Sequence, residues 1–292
     1  YGLESSYPNY YIGQTKQWKA RILWSDFEMT KEERDAFLTR STGNGSGNYM
    51  SDSQRIKVTV PAGMKSGNVI IGLYLPDEEN SIKSWNNIIW SWHLWIVNDN
   101  PLAVVDTYAN GKIFMKQNLG AFANSNGEAD NAKILDSYGM YYQWGRKDPF
   151  PRPYFYDASD AEDESRYNES GIYLKEVREE RSSANGTLVY VTKYPMRFIT
   201  NAASIEDGGD GVGDWLVVAD NNLWSDSKKS IYDPCPYGWR VPTADDLKVL
   251  TLEDAVDNTP LETARKQYGW HLSDGVNRYF YPACGRRRYT DG

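Results

Sequence analysis

The sequence predicts an N-terminal all-β sandwich, residues 1–104, followed by an α+β domain, residues 105–292. Two observations support this prediction. Short apolar runs that end at turn residues dominate the first part, a pattern typical of antiparallel sandwiches. After a turn-forming cluster at Asn98–Pro101, the pattern changes to aromatic segments, polar stretches and one strong helix start. A chain of 292 residues is long enough for two domains, each with its own core.

Four segments of the first part predict strands. Arg21–Trp24 is a short apolar run, and Arg55–Val60 alternates between apolar and polar residues before a turn. Asn68–Leu75 and Ile88–Val97 are longer apolar runs. Between the first two segments, Thr30 has the sequence context of a helix cap, which predicts one short helix.

The second part predicts fewer regular elements. Lys112–Leu119 and Gly186–Pro195 have the composition of strands. Pro242–Leu250 predicts a helix, because Thr243 can cap it and two aspartates follow at its positive end. Arg146–Ser183 is polar and rich in Pro, Asp and Glu, as in a functional or packed loop.

Composition excludes several classes of function. The net charge of −8 and the pI near 5.0 argue against nucleic acid as a partner. The longest apolar run is interrupted by Ser91 and His93 and is too short for a membrane span. A zinc site of three or four His and Cys ligands would have to use nearly all of the two histidines and two cysteines, and the cysteines lack CxxC spacing. With 11 Trp, 22 Tyr and 8 Phe, the chain has the composition of a binding or structural module.

Four segments of the second part have a distinctive sequence. In chain order they are Lys116–Ala121 (KQNLGA), Tyr141–Phe150 (YYQWGRKDPF), Asp233–Thr243 (DPCPYGWRVPT) and Tyr281–Arg287 (YPACGRR). Together they resemble the motifs of the Fibrobacter succinogenes major paralogous domain, a family common in surface proteins of Bacteroidetes. The resemblance covers about residues 112–292 and implies a C-type-lectin-like fold, related to that of the formylglycine-generating enzyme.

Trp90–Ile96 is similar to a strand that precedes this domain in fimbrillin-like surface proteins of Bacteroidetes. The resemblance therefore implies an exported protein at the cell surface, in the outer membrane or in fimbriae. The sequence starts without Met or an apolar leader, so we expect a mature or trimmed product. The family continues beyond Tyr281–Arg287 through further strands. Either the chain was cut at Gly292, or a pilus subunit completes the sheet by strand addition.

Cys235 and Cys284 have three interpretations. In an exported protein they can form a disulfide, whose long loop would stabilise the fold. They can also be reduced, buried thiols, or include a catalytic nucleophile. The formylglycine-generating relatives use a cysteine pair in a different motif context, so the resemblance does not imply that activity. His93 and His271 lack an evident catalytic partner and are expected to be structural.

The best candidate metal site is a glycine-rich acidic loop with Asp207, Asp210 and Asp214. Glycines let such a loop fold back so that carboxylates and carbonyls converge on calcium. The loop lacks the EF-hand spacing, and the alternative is a solvated turn. Calcium is the one cofactor that we consider.

Ligand contacts are expected from aromatic and basic side chains in loops, where recognition residues concentrate. The candidates are Tyr154, Phe155 and Tyr156 in the irregular loop, and Arg286 and Arg287 near the C-terminus. The arginines could hold an anionic sugar or carboxylate, or simply lie at a surface strand end. Trp144 and Trp239, which fall inside the motifs, are expected to pack in the core.

The sequence thus predicts a non-enzymatic exported protein that acts in adhesion, fimbrial assembly or glycan binding. Its expected partner is a glycan or a protein of a host or partner surface. The first alternative is an enzyme of the formylglycine-generating or glycan-processing type. Signatures such as GxSxG, the P-loop and HExxH are absent from the sequence. The second alternative is a purely structural pilus subunit.

Overall fold

The computed structural model describes residues 18–39, 42–43, 56–64, 66–74, 88–124, 131–151, 177–201, 213–252 and 269–290. Within these ranges the protein is mostly β, with small sheets and four short helices. The elements of the first part are β1 (Trp18–Ser25), α1 (Lys31–Phe37), β2 (Leu38–Thr39), β3 (Thr42–Gly43), β4 (Lys57–Val58), β5 (Gly67–Tyr74) and β6 (Ile88–Ile96).

The second part follows the same pattern of short elements. They are β7 (Val105–Thr107), β8 (Ile113–Met115), α2 (Asn131–Asp136), β9 (Tyr141–Tyr142), β10 (Pro149–Phe150), β11 (Val177–Glu180), α3 (Leu188–Lys193), β12 (Arg197–Thr200), α4 (Ala244–Leu247), β13 (Thr251–Leu252), β14 (Gly269–Ser273) and β15 (Arg278–Pro282). None of the helices in the described ranges has the length and apolarity needed to cross a bilayer.

The main sheet is antiparallel, with strand order β3-β1-β5-β6. The predicted strands at Arg21–Trp24, Asn68–Leu75 and Ile88–Val97 are confirmed as β1, β5 and β6. Of Arg55–Val60, only Lys57–Val58 is a strand, and it pairs with β2. Thr30 caps α1 as predicted: its side chain accepts a hydrogen bond from the Glu33 backbone, and Glu33 bonds back.

One face of the main sheet carries a core that belongs to the first part of the chain. Side chains from β1 and β5 on this face pack against α1 and the β2–β4 pair; they include Trp18, Ala20, Ile22, Val69 and Ile71. Phe37 at the end of α1 is fully buried in this core. A four-stranded sheet is therefore covered here by a two-stranded sheet and a short helix. The more specific prediction of a sandwich followed by a C-type-lectin-like domain stays a prediction.

The opposite face of the sheet is covered by the second part of the chain. Ile70 and Trp24 pack against Met140, with Tyr142 beside them. Trp90 of β6 packs beside Tyr232, whose cluster includes Trp215 and Ile199. Residues before and after position 104 therefore share hydrophobic cores. The division into two domains at this position stays a prediction.

The second part contains three further small sheets and a parallel pair. Pairing joins β7 to β8, β9 to β10, and β13 to β14 to β15, all antiparallel. β11 and β12 are parallel and are connected through α3. Asp274 ties two of the sheets together, since its carboxylate accepts hydrogen bonds from the Ala109 backbone and the Tyr279 hydroxyl. These bonds help to hold the pKa of Asp274 well below its usual range; the first cause is the Asn277 backbone N–H.

Two secondary-structure predictions for the second part need correction. Gly186–Pro195 is not a strand: Leu188–Lys193 forms the helix α3, capped by Thr187. Its buried residues Val191 and Thr192 pack inward, so tertiary contacts outweigh the β propensity of this run. Lys112–Leu119 is a strand only over β8. The helix start at Thr243 is confirmed, although α4 is a single turn.

Candidate functional site

Polar side chains on the second face of the main sheet connect it to the second part of the chain. Asn68 of β5 is fully buried, and its side-chain amide donates to Asp26 Oδ2 (2.7 Å) and to the Gly120 carbonyl (2.8 Å). Trp95 of β6 donates its indole N–H to the Ala121 carbonyl at 2.7 Å. Gly120 and Ala121, which accept two of these bonds, belong to the KQNLGA motif, so this motif packs against the sheet.

His93 links Asn68 to the motif Tyr141–Phe150. Its Nε2 lies 2.8 Å from Asn68 Oδ1, and its Nδ1 lies 3.0 Å from the Tyr142 hydroxyl. Because the Asn68 amide nitrogen already donates twice, Oδ1 must accept. His93 therefore carries its proton on Nε2, and Tyr142 donates to Nδ1. Burial lowers the pKa of His93 to about 4, although the negative charge of Asp148 opposes this shift. The expected structural role of this histidine agrees with these contacts.

Lys147 and Asp148 form a second buried link to β6. The Lys147 ammonium donates to the Ser91 carbonyl (2.9 Å), to Ser91 Oγ (2.6 Å) and to both oxygens of Asp148. Ser91 Oγ donates in turn to Asp148 Oδ1 at 2.6 Å. Burial lowers the pKa of Lys147, while Asp148 opposes the shift.

A serine beside a lysine can serve as nucleophile and base, but the arrangement here favours a structural role. Ser91 is only 1% exposed, and its proton is donated to Asp148 rather than to Lys147. Lys147 Nζ also lies over the Trp90 ring, 4.3 Å from its centroid, so the cation has contacts on several sides. The group therefore resembles a buried ion-pair network that joins two elements.

The same motif supplies a buried arginine. Arg146 is 1% exposed, and its guanidinium donates to Gln143 Oε1 and to the carbonyls of Arg197 and Pro195. It also lies over the Phe150 ring, with the guanidinium carbon 4.8 Å from the centroid. The motif Tyr141–Phe150 is thus a structural hub for the second part of the chain.

Trp144 is the exception within this motif, because it is the one exposed residue of the ten. Its exposed fraction is 43%, so the prediction that it packs in the core is wrong. The ring meets Trp224 edge to face, with centroids 4.9 Å apart and an interplanar angle of 70°. We call these two residues the tryptophan pair. Trp239, the other tryptophan expected in the core, is half-buried.

Hydrogen bonds to other segments anchor the backbone of Trp144 and the side chain of Trp224. The Trp144 carbonyl accepts the indole N–H of Trp215 at 2.5 Å, and the Trp224 indole donates to the Tyr232 carbonyl at 2.9 Å. Gly145 has φ of +76°, and a Cβ there would lie 2.7 Å from Leu223 Cδ1. Glycine thus permits both the left-handed turn and the close approach of Leu223, which brings the segment of Trp224 against Trp144.

A polar turn precedes Trp224. Asp220 Oδ1 accepts hydrogen bonds from the Asn222 backbone (3.0 Å) and side chain (3.2 Å). Asn221 and Asn222 are exposed, and Asp220 is partly exposed. The structure therefore places carboxylate and amide groups in the turn just before the half-buried Trp224, the partner of the exposed Trp144.

The two predicted basic ligand residues differ in their environment. Arg287 is partly buried; its guanidinium carbon lies 5.3 Å from the Tyr141 ring centroid and faces Phe150 and Phe198. It also donates to the Pro151 carbonyl at 3.3 Å. Arg286 is exposed. These contacts favour a packing role for Arg287. Tyr154, Phe155 and Tyr156 lie outside the described residues.

Of the candidate calcium ligands, Asp207 and Asp210 lie outside the described residues, whereas Asp214 lies within them. Asp214 Oδ1 accepts from the Leu216 backbone N–H at 2.9 Å, and its carbonyl accepts from Arg181 and Asn201. Asp214 thus stabilises a turn. In the part of the chain that the structure describes, no group of three or more acidic, His or Cys side chains is arranged to hold a metal ion.

Cys235 and Cys284 are both free thiols in the structure, so the predicted disulfide is not formed here. Burial, and after it the negative charge of Asp233, raises the pKa of Cys235 to about 12. Burial also raises the pKa of Cys284. Raised pKa values disfavour the thiolate, and with it the interpretation of either residue as a nucleophile.

We expect an aromatic disulfide reagent at pH 8 to modify Cys235 much more slowly than a free thiol, because little thiolate is present at that pH. After unfolding without reductant, two thiols per chain should react. Cys284→Ser is the control that isolates Cys235. Release of no thiol from the unfolded protein would instead demonstrate the disulfide.

The motif Asp233–Thr243 also exposes an aromatic side chain. Pro236–Trp239 forms a tight turn, closed by a hydrogen bond from the Trp239 N–H to the Pro236 carbonyl at 3.0 Å. Gly238 supplies the positive φ of +84° that the turn requires. Tyr237 at its tip is 78% exposed. The sequence analysis identified neither Trp144 nor Tyr237 as a surface residue. The glycine that follows each of them, Gly145 or Gly238, was the available signal of a turn.

No protein-family model matches the chain, and neither a curated protein nor a solved structure is significantly similar to it. The likeness of the four motifs to a known family therefore stays a prediction.

Proposed function

We propose that this protein is a non-enzymatic recognition protein of the cell surface that binds glycans in adhesion. One observation carries the proposal: the motif Tyr141–Phe150 buries or half-buries nine of its residues and exposes Trp144. An exposed tryptophan that packs edge to face against a second one is typical of recognition surfaces rather than of cores. Export, the cell-surface location and the C-type-lectin-like fold are part of the proposal and rest on the motif resemblance.

The electrostatics of the buried groups support recognition over catalysis. Burial shifts the pKa values of His93, Lys147 and Cys235 toward their neutral forms. A neutral lysine or histidine can act as a base, but the ring nitrogens of His93 and the ammonium of Lys147 are engaged with protein groups. The contacts of His93 and Lys147 thus have a structural role, because they join the main sheet to the second part of the chain.

The proposal predicts binding of the purified protein to a subset of an array of host and dietary glycans. Trp144→Ala should lower the signal at least tenfold, because the exposed ring supplies the contact surface. Trp92→Ala is the matched control: Trp92 is 39% exposed but belongs to β6. Parallel arrays with calcium and with chelator separate the tryptophan pair from a calcium site at Asp207–Asp214.

If Trp144→Ala and the control Trp92→Ala both keep the glycan signal, the tryptophan pair is not the binding surface. A signal lost in chelator would favour the acidic loop instead. An array without any signal would contradict glycan recognition and favour a purely structural subunit, completed by a strand of another subunit.

A further inference from the structure

We propose that the tryptophan pair and the turn Asp220–Asn222 form a binding site for a neutral pyranose unit of a polysaccharide. This inference rests on the proposed function and names the ligand class for it. Trp144 would stack on the apolar face of the sugar ring, while Asp220 and the neighbouring amides bond the ring hydroxyls.

The tryptophan pair is anchored before any ligand binds. Trp144 and Trp224 contact each other edge to face, and each segment is anchored by a hydrogen bond to its backbone carbonyl or indole. A ring that is already fixed loses little conformational freedom when a ligand binds. The positive φ of Gly145 and the contact of Leu223 set the relative position of the two segments. The Trp144 ring, which is 43% exposed, is thus a preorganised surface that is partly open to a ligand.

The groups at this surface match the chemistry of a sugar ring. A pyranose has one face of C–H groups and a rim of hydroxyls. The C–H groups suit the negatively polarised face of an indole. Neighbouring hydroxyls suit a carboxylate or an amide, which accept or donate two hydrogen bonds. Asp220 is oriented by Asn222 through Oδ1, and its side chain retains exposed surface.

The turn itself carries a negative charge at Asp220, whose carboxylate already accepts hydrogen bonds from Asn222. A sugar carboxylate bound at this turn would face the carboxylate of Asp220, and like charges at close range repel. The site should therefore favour neutral sugars over uronic or sialic acids.

The apolar area also favours a sugar over a protein. A stable protein interface needs roughly 1,000 Å² or more with an apolar centre, whereas the site has two indoles beside a polar turn. A protein partner would draw on the exposed valines nearby in sequence. Val218, which is 79% exposed, is the most exposed of these valines. Val218→Asp therefore tests whether binding depends on this valine surface and not on the tryptophan pair.

The test is a titration of the full chain, labelled with ¹⁵N, followed through its tryptophan indole N–H resonances. The probes are short neutral oligosaccharides of glucose, mannose, galactose and N-acetylglucosamine, together with oligogalacturonate and sialyllactose. We expect at least one neutral probe to shift the resonance that Trp144→Phe removes, and the anionic probes to bind at least tenfold more weakly. The Trp92 resonance should stay in place.

Variants separate stacking from general apolar contact. Trp144→Ala and Trp144→Leu should each raise the dissociation constant at least tenfold, whereas Trp144→Phe, which keeps a flat ring, should raise it less. Asp220→Ala should raise it severalfold. Trp92→Ala and Val218→Asp should leave it unchanged. Native indole spectra for each variant confirm the fold.

Several outcomes would overturn the inference. They are the absence of a shift at Trp144 with every probe, equal binding of anionic probes, and unchanged affinity in Trp144→Leu. If the glycan array is positive while Trp144→Ala binds normally, glycan recognition stands and this site is wrong. If Val218→Asp abolishes binding of the sugar probes while Trp144→Ala does not, the contact surface lies at Val218 and the assignment to the tryptophan pair is wrong.

Discussion

Replacing Arg146 with alanine is expected to lower the free energy of unfolding by at least about 3 kcal/mol. The guanidinium donates to Gln143 Oε1 and to the carbonyls of Pro195 and Arg197. Each buried acceptor left without a donor costs about 1–3 kcal/mol. The variant also opens a cavity beside Phe150, over which the guanidinium lies. Urea unfolding monitored by tryptophan fluorescence measures the change.

Arg286→Ala is the matched control for this prediction. Arg286 is exposed, so its truncation should change the free energy of unfolding by less than about 0.5 kcal/mol. Equal small effects for the two variants would contradict the hub role of Arg146. Arg146→Lys should recover only part of the loss, because a single ammonium cannot reproduce the planar fork of donors.

Acidification should destabilise the protein through His93. The pKa of His93 is about 4 in the folded state, against an ordinary value of 6.5. Between these values the unfolded chain binds more protons than the folded chain, so stability falls as the pH falls. This difference in pKa corresponds to a loss of roughly 3 kcal/mol in the free energy of unfolding between pH 7 and pH 4. Unfolding curves at half-unit intervals of pH measure this slope.

His93→Gln isolates this contribution, because glutamine can donate to Asn68 Oδ1 but does not titrate. The slope between pH 6.5 and pH 4 should become shallower in this variant, even if its stability at pH 7 is lower. An unchanged slope in His93→Gln would show that other groups cause the acid dependence. Asp246 and Asp274, whose pKa values are held well below the usual range, lose their contributions at lower pH.

Sequence reasoning identified the parts of the fold that depend on local chemistry. β1, β5 and β6 follow from apolar runs that end at turn residues, since each strand buries its side chains within a sheet of similar runs. Thr30 and Thr243 were predicted as caps, and each accepts the hydrogen bond of a nearby backbone N–H. These features involve residues within a few positions of each other.

Other features could not be predicted because distant residues decide them. The segment that contains Leu188–Lys193 has the composition of a strand but folds as a helix, since Val191 and Thr192 are buried in tertiary contacts. The partner of His93 is Tyr142, 49 positions away, and neither residue indicates the other. Arg286 and Arg287 are identical in type and adjacent, yet one is exposed and the other packs on Tyr141.

The sequence by itself determined the β-rich class, the turns and the helix caps, because periodicity, glycines and capping hydroxyls act over short distances. It also marked four distinctive motifs, of which Tyr141–Phe150 is one. Only the tertiary structure decided the role of each residue in that motif. Nine residues are buried or half-buried, many in contact with segments far along the chain, while Trp144 lies where no segment of the described chain covers its outer face fully. Exposure depends on the whole arrangement of segments, which is why the candidate site emerged from the structure.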